Sequence, residues 1–221
     1  MCGRFAQSQS INNYAKALDP AWVPPALELH QTWNLAPSRP ALVFHSGDEG
    51  RMAELFKWGL LPSWADPMAQ KPINARLDTA ATKPYFRKAW KKGRCLIPAD
   101  GWYEWKDSDQ GKVPYFLYRA DQQPLLMAGL YETNSHAKVT SFAILTTDAD
   151  GDLRNVHDRK PVVLSADVAT QWLDSKLPAD EIAAVAAHSM TSEHFTWHTV
   201  STKVNNPRND DAGLVVQHLN G

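Results

Sequence analysis

The sequence predicts a single domain of the α+β class over residues 1–221, with a curled, mainly antiparallel and barrel-like β-sheet core and flanking helices. Between residues 94 and 147, strand-like segments and polar turns alternate about every 8–12 residues, as they do in an antiparallel sheet. Elsewhere, apolar residues at helical spacing follow capping residues and predict helices. No repeat, low-complexity segment or convincing linker divides the chain, so one domain is expected.

The composition is that of an ordinary globular protein. Hydrophobic residues make up 43% and charged residues 21% of the chain, which argues against disorder. The net charge of −1 means that any affinity for nucleic acid has to come from local patches. No signal peptide and no apolar run of about 18 residues is visible, so no membrane association is expected. Two cysteines cannot form a disulfide framework, which predicts a cytoplasmic, reduced protein.

Residues 1–64 predict one helix, one hairpin and two irregular segments. Ser8 or Ser10 can cap a helix that ends at Asp19-Pro20 and whose apolar positions are Ile11, Tyr14, Ala15 and Leu18. Segment 20–40 is rich in proline and is predicted to be irregular, whereas 41–45 and 53–57 form a hairpin. The loop 58–64 contains Trp58 and Trp64, which either fill the core or offer a flat face to a base; we expect Trp64 to be the more exposed.

A short, strongly basic helix is predicted over residues 84–92, with Pro84 in its first turn and Gly93 at its C′ position. Phe86 and Trp90 share one face. The cations of this region are Lys83, Arg87, Lys88, Lys91, Lys92 and Arg94. They form either an ordinary solvated face or a patch that faces phosphates.

The second half of the chain predicts most of the sheet. The predicted strands are 94–98, 101–106, 113–119, 125–131, 140–147, 162–164 and 195–200. Ser165 caps a helix that contains Val168, Trp172 and Leu173, and a further helix spans about 179–188. Cys95, flanked by Leu96 and Ile97, is expected in the core.

The N-terminus has chemistry that an internal cysteine lacks. If Met1 is removed, Cys2 carries an α-amine and a thiol on adjacent carbons. The amine, with a pKa of about 7.7–8.0, can form a Schiff base with an aldehyde, and the thiol can then close a thiazolidine ring. Arg4 can hold an anion such as a phosphate. The alternative is a small buried cysteine in an ordinary N-terminal strand.

Two further residues are candidate proton carriers. Glu104 lies between Tyr103 and Trp105, where a desolvated carboxyl would have a raised pKa; alternatively, it lies on the solvated face of the strand. His157 precedes a strand and could carry a proton near pH 7, or it is a surface residue.

Three polar residues could position a substrate. Asn74 could orient an amine by hydrogen bonding, or merely cap a turn. Arg76 and Arg159 could clamp phosphates through two nitrogens each, or form structural ion pairs. A zinc site at His194 and His198 is not expected, because their spacing of four falls in a strand-like segment.

Seven motifs in this order resemble the SOS-response-associated peptidase (SRAP) family and cover almost the whole chain. The motifs are Met1-Cys2-Gly3-Arg4-Phe5, Asn34-x-Ala36-Pro37, Trp58-Gly59-Leu60-x-Pro62, Asn74-Ala75-Arg76, Arg94-Cys95-Leu96-x-Pro98, Gly101-Trp102-Tyr103-Glu104-Trp105 and His157-x-Arg159-x-Pro161. Two residues depart from the pattern: Asp78 replaces the usual glutamate, and Lys160 replaces the usual methionine, where it could alter contact with the DNA backbone.

The resemblance implies a protein that binds single-stranded DNA and traps the aldehyde of an abasic site as a thiazolidine with Cys2. It implies that Asn74 positions the Cys2 amine, that Glu104 manages protons and that His157 assists ring opening and reversal. It further implies that Arg4, Arg76 and Arg159 hold phosphates, and that Trp64 and the loop from Asn34 to Pro37 stack on bases or wedge them apart.

The family also implies self-cleavage that removes Met1, no metal or organic cofactor, and abasic single-stranded DNA as the partner. Replication-fork proteins are further candidate partners, and we expect a monomer in the cytoplasm that joins the nucleoid when it binds DNA. Two other functions stay open: a thiol peptidase in which Cys2 and His157 act as nucleophile and base, and a non-covalent reader of single-stranded DNA or modified bases.

Overall fold

The computed structural model describes residues 2–48, 50–109 and 111–218. Its strands are Phe5–Gln7 (β1), Thr32–Leu35 (β2), Pro40–Gly47 (β3), Gly50–Trp58 (β4), Asn74–Arg76 (β5), Arg94–Ala99 (β6), Gly101–Ser108 (β7), Gly111–Arg119 (β8), Leu125–Asn134 (β9), Val139–Asp148 (β10), Arg159–Pro161 (β11) and Phe195–Thr199 (β12). Its α-helices are Ile11–Leu18 (α1), Leu77–Ala80 (α2), Arg87–Lys92 (α3), Ala166–Leu173 (α4) and Ile182–Ala187 (α5). The predicted α+β class is confirmed.

The larger sheet curls into a ring. Its strand order is β11-β10-β4-β3-β6-β9, and β9 also pairs with β10, so that β10, β4, β3, β6 and β9 close on themselves. Most pairs are antiparallel, but β10 runs parallel to β4 and to β5. The short strands β5 and β11 both pair with the end of β10, so three distant segments meet at one rim of the ring.

The smaller sheet has the order β12-β8-β7-β1-β2, so the first strand of the chain is an inner strand of this sheet. Strand β1 lies between β2 and β7, with Phe5 opposite both Leu35 and Trp102. Residues 101–104 at the start of β7 are all buried, because both faces of the strand are covered here. This burial places the start of β7 against the segment that follows Cys2.

Apolar residues on the two faces of the ring strands form two separate cores. Leu42 and Phe44 belong to the core that packs against α1, α4 and α5, whereas Val43 belongs to the core between the two sheets. The second core contains Cys2 and Cys95, both fully buried, which confirms the expectation for Cys95. The alternation follows from the period of two in a β-strand.

The helices follow their local signals closely. Ser10 caps α1 by accepting a hydrogen bond from the Asn13 backbone N–H, and the helix ends at Asp19 as predicted. The helix after Ser165 is also confirmed, and the helix predicted at 179–188 is shorter, at Ile182–Ala187. Among the described residues, none of the helices combines the length and hydropathy needed to cross a membrane.

Three predictions of local structure were inaccurate. Segment 20–40 contains the strand β2, which pairs with β1, and Asp210 accepts hydrogen bonds from its Trp33 and Asn34 backbone N–H groups. The basic helix begins at Arg87 rather than residue 84. The strand predicted at 162–164 is also displaced: the observed strand is Arg159–Pro161. Val163 forms only an isolated bridge with Met127.

Candidate functional site

Cys2 is held in place by the side chain of Asn74. Asn74 begins β5, which pairs with β10, and its Nδ2 donates a hydrogen bond of 2.8 Å to the Cys2 carbonyl oxygen. Asn74 Oδ1 is buried and has no hydrogen-bond partner in the described part of the chain. The Asn74 amide nitrogen therefore fixes the Cys2 backbone, and the Asn74 amide oxygen is an unused hydrogen-bond acceptor near Cys2.

The Cys2 thiol is in an environment that keeps it neutral. Burial raises the pKa of the Cys2 thiol far above its ordinary value, and the Glu104 carboxylate raises this pKa further. A hydrogen bond from the Arg4 backbone N–H lowers the pKa only in part. The thiol is therefore not activated as a standing thiolate, and it needs a base to remove its proton as it reacts.

Glu104 lies beside the segment that follows Cys2, because the Tyr103 backbone N–H donates to the Arg4 carbonyl. It is 2% exposed, so the alternative of a solvated strand face is wrong. Burial raises the pKa of Glu104 to about 7, with a smaller contribution from the Asp158 carboxylate. A carboxyl with this pKa can both donate and accept a proton near neutral pH.

His157 follows the 3₁₀ turn Gly151–Asn155 and faces Glu104, with 3.8 Å between His157 Nε2 and Glu104 Oε2. Its Nδ1 accepts a hydrogen bond from the Arg159 backbone N–H and lies 2.8 Å from Asp158 Oδ1. Burial lowers the pKa of His157. Nδ1 therefore lies between a donor, the Arg159 N–H, which favours the tautomer protonated on Nε2, and an acceptor, the Asp158 carboxylate, which favours the tautomer protonated on Nδ1.

The four predicted catalytic residues therefore occupy one region, although they come from four separate segments of the chain. Asn74 contacts Cys2 directly, the charge of Glu104 acts on the Cys2 thiol, and His157 faces Glu104. The arrangement combines a thiol, an amide, a carboxyl whose pKa is raised to about 7 and an imidazole whose pKa is lowered. Such a set can carry out nucleophilic chemistry that requires several proton transfers.

Arg4 and Asn34 bind each other and the C-terminal segment. Arg4 Nη1 donates to Asn34 Oδ1 at 2.7 Å and to the Val204 carbonyl at 3.0 Å. Asn34 is buried, and its Nδ2 donates to the carbonyls of Val204, Asn206 and Asn209. The sequence did not reveal these C-terminal partners, since they lie 200 residues from Arg4 and 170 to 175 residues from Asn34. They give both side chains a structural role in the folded chain.

The other two predicted phosphate-binding arginines are in different environments. Arg76 is half exposed and forms a two-point ion pair with Asp78, with distances of 3.1 Å from Nε to Oδ1 and 2.7 Å from Nη2 to Oδ2. Arg159 is 8% exposed; it pairs with Asp148 and donates to the Thr146 carbonyl at 2.7 Å. No local sequence signal marks Asp148 as the partner of Arg159, because the two residues meet only through the pairing of β10 with β11.

Of the predicted base-stacking residues, Trp64 lies at the surface, Pro37 is partly buried and Asn34 is buried. Trp64 is 62% exposed and packs edge-on against Tyr85, with 5.7 Å between ring centroids. Pro37 and Asn34 border an open cavity of about 570 Å³, which is also lined by Arg39 and Arg208. Lys160 is buried, and its Nζ contacts the Met190 carbonyl and Asp150, so it does not face solvent or a phosphate.

Comparison with protein families gives a match over nearly the whole chain. The family model described as SOS response associated peptidase (SRAP) matches residues 1–207. Among curated proteins, the abasic site processing protein YedK of Escherichia coli K12 is 38% identical over 225 residues, covering 97% of this chain and 99% of that protein. The abasic site processing protein HMCES of Xenopus tropicalis is 34% identical and covers 72% of this chain and 56% of that protein.

The fold also matches solved structures. The crystal structure of a phage-related protein from Bordetella bronchiseptica has a TM-score of 0.77 and 32% identity, covering 90% of this chain and 94% of that chain. A protein from Bacteroides thetaiotaomicron has a TM-score of 0.81 at 24% identity, covering 97% of this chain and all of that chain, and shows likeness of fold alone.

Proposed function

The chain belongs to the SOS response associated peptidase (SRAP) family, and from this premise we propose that it processes abasic sites in single-stranded DNA. Its N-terminal Cys2, once Met1 is removed, forms a covalent thiazolidine with the aldehyde of the abasic sugar. The adduct shields the lesion during repair. The observation that carries the proposal is the hydrogen bond of 2.8 Å from Asn74 to the Cys2 carbonyl, which fixes Cys2 beside the pair of Glu104 and His157.

The proposed reaction has four steps. Met1 is first removed by hydrolysis of its peptide bond to Cys2, which consumes one water and frees the Cys2 amine; Met1 lies outside the described residues. The closed sugar then opens to an aldehyde, as a proton moves from the anomeric hydroxyl and another is delivered to the ring oxygen. The amine adds to the aldehyde carbon and water leaves, which gives an imine. Finally, the thiol sulfur adds to the imine carbon while its proton is transferred to nitrogen, so adduct formation releases one water overall.

Glu104 is the proposed proton carrier at the amine and the thiol. With a pKa of about 7 it is present in both protonation states near neutral pH. Its protonated form can supply the proton that lets water leave when the imine forms, and its ionised form can take the proton of the thiol. The thiol requires such a base because burial keeps it protonated.

His157 is the proposed partner for ring opening and for reversal. Its neutral ring can donate from Nε2, and the Arg159 backbone N–H holds Nδ1 as an acceptor. Because a catalyst lowers the barrier equally in both directions, a group that eases opening of the sugar also eases its closure.

Asn74 is proposed to orient the amine of mature Cys2. Its Nδ2 already holds the Cys2 carbonyl, and its Oδ1 is the unused buried acceptor. An amine at Cys2 would donate a hydrogen bond to that oxygen, which points its lone pair away from the amide and towards an incoming aldehyde.

The DNA contacts are proposed to come from Arg4, Arg76 and Arg159 at phosphates, and from Trp64 and the loop between Asn34 and Pro37 at bases. Arg76 and Trp64 are the most exposed of these side chains and can bind directly. Arg4 is held by uncharged groups and keeps its positive charge, whereas a phosphate at Arg159 would have to replace Asp148. We further propose a cytoplasmic monomer that joins the nucleoid on DNA, with replication-fork proteins as additional partners.

Intact mass spectrometry after incubation with single-stranded DNA that contains one abasic site tests the proposal. We expect the protein to lack Met1 and to form a heat-stable adduct whose mass is that of both components less one water. Cys2→Ala should form no adduct. Cys2→Ser keeps the amine but lacks the thiol, so it should form only an imine that survives denaturation after borohydride reduction.

Cys95→Ala is the matched control, because Cys95 is the chain's only other cysteine and is equally buried. It should form the same adduct as the parent protein. An undiminished adduct with Cys2→Ala would contradict the proposal and would favour a non-covalent reader in which Cys2 is incidental.

A thiol peptidase that acts on other proteins is less compatible with this site. Such an enzyme uses the thiol alone and needs no acceptor for the α-amine, whereas Asn74 Oδ1 is an unused buried acceptor beside Cys2. Chemical blocking of the mature α-amine separates the two functions, because it should abolish DNA capture and leave any peptidase activity intact.

A further inference from the structure

A second charged surface lies outside the site described above. It is the cationic face of α3 and the turn before it, defined by Lys83, Arg87, Lys88, Lys91 and Lys92. All five side chains are exposed, and residues 83–92 contain no acid. Since the whole chain has a net charge of −1, the rest of it is net acidic and this face stands out from its surroundings.

Most of these cations have no partner within the described chain. Lys88 is the exception, because its Nζ lies 2.9 Å from Glu132 Oε1 and donates to Ser63 Oγ at 2.7 Å. Lys83 and Arg87 form no side-chain hydrogen bond or ion pair with any described residue. Arg94, which the sequence grouped with them, is buried and donates to backbone carbonyls, so it does not belong to this face.

The cationic face adjoins an aromatic pair, Trp64 and Tyr85, in which Trp64 is exposed and Tyr85 is partly buried. The Tyr85 ring contacts Trp64 edge-on, and the Tyr85 hydroxyl donates to the Gln70 carbonyl at the other end of the same loop. Lys88 holds Ser63, the residue before Trp64. The indole of Trp64 is therefore an exposed but anchored surface directly beside the cations.

The aromatic pair is also linked to the Cys2 site through the backbone. The loop that contains Trp64 is closed by the hydrogen bond from the Leu60 N–H to the Pro72 carbonyl, and two residues later Asn74 holds Cys2. The loop that carries Trp64 therefore begins and ends beside the strand that holds Cys2, and its contacts with Tyr85 and Lys88 connect it to α3.

We propose that Trp64, Tyr85 and the cationic face of α3 form a binding track for the single-stranded DNA that flanks the abasic site on one side. The inference rests on the proposed function, which places the lesion at Cys2. Single-stranded nucleic acid fits because it offers phosphates for the cations and bases for the indole, a combination that proteins use to bind such strands. An acidic protein segment would use the cations but not the flat aromatic surface.

The test compares Lys83→Gln/Arg87→Gln with a control of equal charge change, Lys16→Gln/Lys176→Gln. Lys16 and Lys176 are exposed on α1 and just after α4, elements on the helical side of the ring. Neither variant changes a residue of the proposed catalytic site. The probes are undamaged single-stranded oligonucleotides and oligonucleotides with one abasic site, whose flanks extend by either about two or about eight nucleotides on the 5′ or the 3′ side.

For the test variant we expect roughly tenfold weaker binding of abasic oligonucleotides that carry the long flank on one of the two sides, and unchanged binding of those with the other long flank. The slope of log affinity against log salt should become shallower by about 1.4 for the affected probe, because two phosphate contacts are lost. The control variant should bind every probe as the parent does. Unchanged affinity for both flanks would overturn the proposal and assign the face to an acidic protein partner, and equal losses on both flanks, or in the control, would overturn it in favour of general electrostatics.

Failure of the track and failure of the proposed chemistry give different results. Oligonucleotides with only short flanks, at saturating concentration, should form the adduct equally fast with parent and test variant if the chemistry is correct. If the parent forms no adduct with any probe, the proposed function is wrong, and the undamaged probes still report, through their salt slopes, whether the cationic face of α3 binds a single strand.

Discussion

His157 Nε2 lies 3.8 Å from Glu104 Oε2, so the imidazole and the carboxyl that we propose as proton carriers face each other beside Cys2. Burial raises the pKa of Glu104 to about 7 and lowers that of His157. The ordinary order of the two pKa values is therefore reversed, because burial disfavours the charged form of both groups. The pair of a neutral carboxyl and a neutral imidazole is favoured over the ion pair at this site.

Replacing Glu104 by Gln tests whether its titratable proton is used. The amide keeps the shape of the carboxyl, so we expect DNA affinity to change little and adduct formation to slow by about 10²–10⁴-fold. The measurement is a single-turnover time course from pH 5 to pH 8. A variant that matches the parent rate over this whole range would show that Glu104 is only a sheet residue.

Replacing His157 by Ala should slow both formation and reversal of the adduct, each by about 10²-fold or more. Reversal is measured by transferring the purified adduct into excess of a competing aldehyde and following release of the DNA. His136→Ala, at an exposed histidine, is the control and should behave as the parent does. Slower formation with normal reversal would argue against a role in sugar ring opening.

The raised pKa of Glu104 has a consequence for stability. The carboxyl has a pKa of about 7 in the folded protein and an ordinary value of 4.5 when unfolded, so the folded state binds more protons between these values. The free energy of unfolding therefore decreases as pH rises from about 4.5 to 7, by up to about 3 kcal/mol. In Glu104→Gln the residue does not titrate, so this pH-dependent loss of stability is absent. The free energy of unfolding of the variant minus that of the parent should therefore increase from pH 5 to pH 8, as measured by denaturant titration. Glu28→Gln, at an exposed glutamate, should show no such trend, and parallel curves for Glu104→Gln and the parent would refute the assignment.

The ion pair between Arg76 and Asp78 should compete with DNA, because Asp78 occupies two nitrogens of the guanidinium that a phosphate would use. We expect Asp78→Asn to bind undamaged single-stranded DNA several-fold more tightly. Arg76→Ala should make the slope of log affinity against log salt shallower by about 0.7. Arg119 and Asp121 form the same two-point pair, with 2.9 Å from Nε to Oδ1, so Asp121→Asn is the matched control. Equal gains in both Asn variants would mean that only net charge matters.

Asn34 is expected to act mainly through the fold. Asn34→Ala removes the donor for three carbonyls and the acceptor for Arg4, which should lower the free energy of unfolding by about 1–3 kcal/mol. Thermal unfolding measures this effect, with Asn12→Ala on the exposed side of α1 as the control. If stability is unchanged while DNA affinity falls, the side chain contacts DNA directly instead.

Local signals in the sequence were sufficient for much of the fold. The helix after Ser10 begins and ends where its cap and apolar spacing predict, and the hairpin of β3 and β4 lies where its turn predicts. These features depend on contacts between residues that are close in the chain, and such contacts can be recognised from composition and spacing. The aromatic neighbours of Glu104 likewise pointed to a desolvated carboxyl.

The sequence by itself determined the candidate reactive groups: a thiol at Cys2, a carboxyl at Glu104 and an imidazole at His157. Only the tertiary structure decided which of the polar residues act on one another. The pairing of β10 with β5 and β11 brings Asn74 to Cys2 and Asp148 to Arg159, and the return of the C-terminal segment makes Asn34 a structural residue. The physical reason is that strand register across a ring of long-range pairs depends on burial of both faces together, which no local stretch of sequence specifies.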